Sequence, residues 1–71
     1  MINNEFYNYM KLKYESEIQL LKVKILSLLD TDHTVNYDTM IPEVDTLLQN
    51  LSNIRKKLES LNDINNGNII N

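Results

Sequence analysis

Between Val44 and Leu61 the chain carries an apolar stripe that admits few folds. Val44, Leu47, Leu51, Ile54, Leu58 and Leu61 recur at alternating three- and four-residue intervals, the spacing that holds one seam of a helix against one partner helix. The positions between them include Asp45, Gln49, Asn50, Asn53, Arg55, Lys56, Lys57 and Glu59. The opposite face is therefore solvated, and the stripe reads as a helix and not as a buried strand.

A second stripe obeys the same rule. Tyr7, Tyr14, Ile18, Leu21, Ile25 and Leu28 share the spacing, with Lys11 interrupting one seam position and Met10 beside it. No Gly or Pro breaks this run, and the pattern predicts a first helix over about 5–29. At ~1.5 Å per residue it is about 37 Å long, more than a compact globule of this size can wrap around. An elongated hairpin fits better. Residues 1–4 are polar and are expected to fray.

The segment Asp30 to Asp38 loses the pattern and gathers Asp, Thr, Asn and His, whose side chains favour turns and caps over helix interiors. It is the expected connection, about 30–38. Asp38 or Thr39 can cap the second helix, which is placed near 39, so that Pro42 falls in the first turn, where few backbone N–H groups have partners. If the ring is not tolerated there, the helix starts at Pro42 itself. Leu61 closes the seam, and the Asn and Gly of the segment 62–68 offer stop signals. The second helix is thus expected over about 39–62, with a disordered Asn-rich tail over about 63–71. Together these make a single helical-hairpin domain.

If the helices fold back on each other, the seam residues pair about a midpoint in the loop. Leu28 faces Val44, Ile25 faces Leu47, Leu21 faces Leu51, Ile18 faces Ile54, Tyr14 faces Leu58, and Lys11 faces Leu61. Antiparallel helices also bring like flanking positions together, which sets Glu15 near Arg55 and Glu17 near Lys57. Each such surface pair is worth only about 0–1 kcal/mol, so they choose the register more than they hold the fold.

A core of about a dozen side chains is thin support for a chain of 71 residues. Leu12, Val23 and Leu26 lie about 140–200° around the first helix from its seam, with Leu20 and Tyr9 beside them. An isolated amphipathic helix is polar there. Leu12, Leu20, Val23 and Leu26 are the candidate interface, and the expected use is dimerisation into a four-helix bundle or binding of a different protein.

Composition narrows the function classes. The formal charge is −3 and the pI is near 4.9, against the basic stripe that a phosphate-neutralising domain needs. Direct nucleic-acid binding is not expected. Arg55, Lys56 and Lys57 are consecutive, and at ~100° per residue they cannot form a one-sided patch. No Cys is present, which removes disulfides and thiolate metal sites. Apolar runs reach only two residues, far from the roughly 20 that cross a bilayer. The N-terminus lacks the basic and apolar regions of a signal peptide. The expected setting is cytoplasmic, or a virion interior. Eleven Asn and eight Ile match the drift of AT-rich genomes, as in low-GC bacteria and their phages.

No constellation carries chemistry. His33 is the single histidine and reads as a loop residue. Asp30, Asp32, Thr34 and Asn36 share the alternate spacing of a calcium loop's first ligands, but Val35 stands where the loop needs Gly and Ile41 where it needs Glu. Asn50-Leu51-Ser52 matches the glycosylation triplet but falls on a helix. Tyr7 and Tyr14 read as amphipathic seam residues with wet hydroxyls. No cofactor or metal is expected.

The stretch Ile41-Pro42-Glu43-Val44-Asp45 early in helix two resembles the Ser-Gln-Glu-Leu-Asp signature of the small aspartyl-phosphate phosphatases of the sporulation phosphorelay. Glu43 and Asp45 agree in identity, Val44 is conservative, and Pro42 stands in place of the Gln. The resemblance implies a hairpin acting on a response regulator, with Asp45 near the phosphoryl group and no carboxamide beside it.

The sequence thus predicts an all-α antiparallel hairpin, coiled-coil-like, that dimerises and acts without enzymatic chemistry. Its expected role is a phage or bacterial regulator, inhibitor or adaptor that works by occlusion or scaffolding. The alternatives are the phosphorelay phosphatase and a structural coiled-coil subunit of a virion or larger assembly.

Overall fold

The computed structural model describes residues 3–30 and 36–67. Two helices, α1 (Asn4–Leu29) and α2 (Tyr37–Asn65), pack against each other as a hairpin. The molecule measures 55 × 25 × 11 Å. Its smallest dimension equals the ~10–12 Å diameter of one helix. The hairpin is therefore a single layer, and its core is open to solvent above and below.

Ile18, Leu21, Ile25 and Leu51 form the core, with Leu47, Ile54 and Leu58 packed against them. This cluster contains both members of three expected pairs: Ile25 with Leu47, Leu21 with Leu51, and Ile18 with Ile54. Even the four best-covered side chains keep 7–9% of their surface exposed, because a two-helix seam has no second layer to close it. Tyr14, Leu28, Val44 and Leu61 are half-buried. Leu28 and Val44 line one depression at the loop end with Leu29, Tyr37, Met40 and Ile41. Glu17 and Lys57 line one depression beside the seam, together with Leu21 and Ile54.

The helix ends differ from the sequence expectation. Asn3 caps α1: its side chain accepts the Phe6 N–H at 3.1 Å, so order begins inside the segment expected to fray. Asn36 caps α2, in place of Asp38 or Thr39. Its side chain accepts the Asp38 N–H at 2.9 Å, and its carbonyl accepts the Thr39 hydroxyl at 2.8 Å. Starting at Tyr37 places Asp38 in the first turn, where a carboxylate is favoured by the helix dipole. Met40 stands one turn before Val44 on the same stripe.

Pro42 consequently lies inside α2 and not in its first turn. Its ring cannot donate to the Asp38 carbonyl, but that residue is exposed, so water can serve the acceptor. The Thr46 hydroxyl donates back to the Pro42 carbonyl at 3.0 Å.

At the other end α2 runs through Asn65 and not only to about 62. The Asn66 N–H bonds to the Asn62 carbonyl at 3.0 Å, the Gly67 N–H bonds to the Ile64 carbonyl at 3.1 Å, and Gly67 takes a φ of 74°. That left-handed residue ends the helix at low steric cost because it is glycine. This last turn lies beside the start of α1, where Phe6, Tyr7 and Met10 line one depression with Leu61 and Ile64. Helix α2 and its terminating turn thus take in residues 63–67 of the segment that the sequence assigns to the tail, and the rest of that tail lies outside the described residues.

Candidate functional site

The two helices differ in what they turn away from the seam. The outer face of α2 is polar, with Asp38, Asp45, Thr46, Gln49, Asn53, Lys56 and Ser60 exposed, and the Gln49 side-chain amide donates to Asn53 at 3.2 Å. The outer face of α1 is apolar. Tyr9 is 70% exposed, Leu12 63%, Val23 59% and Leu26 63%, with Leu20 at 55% on one shoulder. At ~100° per residue, Leu12 and Val23 lie on the opposite side of α1 from Leu21 and Ile25. Helix α1 thus has an apolar stripe on each of two faces, only one of which α2 covers.

Charge follows the same division. From Asn8 to Ser27 the outer sector of α1 holds Tyr9, Leu12, Ser16, Gln19, Leu20, Val23 and Leu26 and no charged residue. The charges sit along its two edges by the same helical rotation: Lys11, Glu15 and Lys22 on one, Lys13, Glu17 and Lys24 on the other. The outer face of α1 is thus an uncharged, largely apolar band with charged borders.

The remaining candidates do not converge. Asp45 borders the depression formed by Leu28, Leu29, Tyr37, Met40, Ile41 and Val44, whereas Glu43 lines a different one with Val23, Lys24, Ser27, Leu28 and Leu47. Two residues apart on a helix, these carboxylates point about 160° away from each other, and Pro42 supplies no hydrogen-bonding side chain. Among the described residues no ionisable side chain is buried, and no group of three or more His, Cys, Asp and Glu is placed to hold a metal ion. Asn36 serves as a cap. His33, Asp32, Thr34 and Val35 lie outside the described residues. No described helix is long and apolar enough to cross a membrane.

One contact escaped sequence reasoning. The Tyr7 hydroxyl donates to Asn62 Oδ1 at 2.7 Å, across a half-buried boundary between the helices. Asn62 stands four residues after Leu58 and so continues the seam, but its residue type reads as a stop signal. Phe6, Tyr37, Ile41, Leu48 and Ile64 are further exposed apolar side chains along the open edges of the hairpin.

No family model, curated protein or solved structure matches the chain.

Proposed function

We propose that this protein is a non-enzymatic protein–protein interaction module that self-associates through the outer face of α1 and acts as a regulator, inhibitor or adaptor by occlusion or scaffolding. The observation that carries the reading is the pairing of a core one helix thick with a second apolar stripe, Leu12, Val23 and Leu26, at about 60% exposure. A four-helix assembly of two hairpins covers that stripe and adds the apolar burial that a small core lacks. Polar α2 then faces outward and is the surface offered to other molecules.

Thermal melts followed by circular dichroism over a hundredfold range of concentration test this. A self-associating chain melts at higher temperature as its concentration rises, because association is linked to folding. A cooperative melt independent of concentration contradicts the reading. The single-layer core also favours a second reading, a structural subunit completed only inside a larger assembly, for which the isolated chain is poorly helical at every concentration.

A further inference from the structure

We infer that the outer face of α1 pairs with the same face of a second copy in antiparallel register, with the twofold axis passing between Glu17 and Ile18. The inference rests on the self-association proposed above and specifies its geometry.

The outer stripe has its own coiled-coil spacing: Tyr9, Leu12, Ser16, Gln19, Val23 and Leu26 alternate at three and four residues, as a contact seam requires. Its order is palindromic in character. Two apolar residues come first, two polar residues stand in the middle, and two apolar residues end it. Antiparallel pairing about the Glu17–Ile18 midpoint sets Tyr9 against the second copy's Leu26, Leu12 against its Val23, and Ser16 against its Gln19. Apolar layers then meet apolar layers, and the two polar side chains meet each other. A slip of one heptad in either direction puts Ser16 and Gln19 against apolar partners and leaves two apolar layers at the ends without any, so the polar pair fixes the register.

Charge selects the direction. In this pairing the exposed Glu15 of each copy neighbours Lys22 of the other, once on each side of the twofold axis. A parallel pairing brings Glu15 beside Leu20 and Lys22 beside Ser27, with no opposite charges matched. The antiparallel arrangement also places Lys13 beside Leu20, whose apolar surface its methylene stem can cover. The two α1 helices become central and the two α2 helices lie outside them.

Single cysteines test the register cleanly because the chain has none of its own. Leu12 and Val23 are exposed on the hairpin, so Leu12→Cys and Val23→Cys leave its core intact. Under mild oxidation an equimolar mixture should give the mixed disulfide, while either variant alone should give several-fold less. In the proposed pairing, like positions are about 16 Å apart along the axis, beyond the reach of a disulfide. Equal cross-linking by each variant alone overturns the antiparallel direction. A wild-type dimer that yields no mixed disulfide overturns the register while leaving self-association standing, and a wild-type monomer overturns both.

Charge reversal gives an independent arm. Glu15→Lys should weaken the dimer about tenfold, and Lys22→Glu added to the same chain should restore it. A double variant as weak as the single one contradicts the pairing.

Discussion

The hydroxyl of Tyr7 donates to Asn62 Oδ1 at 2.7 Å, joining the first turn of α1 to the last full turn of α2 across 55 residues of chain. This contact ties the open end of the hairpin, beside a depression lined by Phe6, Met10, Leu61 and Ile64.

Tyr7→Phe should therefore cost about 0.5–1.5 kcal/mol, the net worth of one hydrogen bond. The loss should be local. Amide exchange should accelerate from Asn62 to Asn65 while the amides around Leu51 keep their protection, and urea denaturation gives the global change.

Leu51 is the best-covered position of α2, and it packs against Ile18, Leu21 and Ile25. Leu51→Ala should remove about 2–5 kcal/mol, enough to unfold so thin a core, as circular dichroism would record. Leu12→Ser, at a residue 63% exposed on the hairpin, should leave the fold of the monomer unchanged and lower only the association constant.

Asn36→Ala should destabilise α2 by about 0.5–2 kcal/mol through loss of the cap. Pro42→Ala should do the reverse. It supplies an N–H for the Asp38 carbonyl and removes a residue unsuited to a helix interior, for a net gain of about 1–2 kcal/mol after the more flexible unfolded chain is counted. Both changes are read as shifts in the thermal midpoint, and opposite signs are expected.

These contacts also mark where the sequence was and was not legible. The hairpin could be read because the seam positions, Ile18, Leu21 and Ile25 against Leu51, recur with helical spacing on both sides of a turn-rich segment, and burial follows spacing closely in a two-helix structure. The ends could not be read the same way. Asn36, Asp38 and Thr39 can all cap a helix, and local chemistry does not rank them. Pro42 misled by suggesting a first-turn position, although an exposed helix face tolerates its missing donor. Asn62 misled by residue type: in sequence it resembles a stop, and in the fold it is the acceptor for Tyr7. The outer stripe of α1 was visible as misplaced apolar residues. Its self-matching order emerges only once α2 is known to cover the other face.

Sedimentation equilibrium at micromolar concentration, comparing the wild type with Leu26→Glu, tests the central claim most directly. Leu26 lies on the outer face of α1, 63% exposed, so the substitution leaves the hairpin core untouched and places a charge in an apolar end layer of the proposed contact. The account predicts a wild-type mass of two 8.4 kDa chains and a variant that sediments as one chain or unfolds. A wild type that is fully helical as a single chain, with the variant indistinguishable from it, would contradict the account.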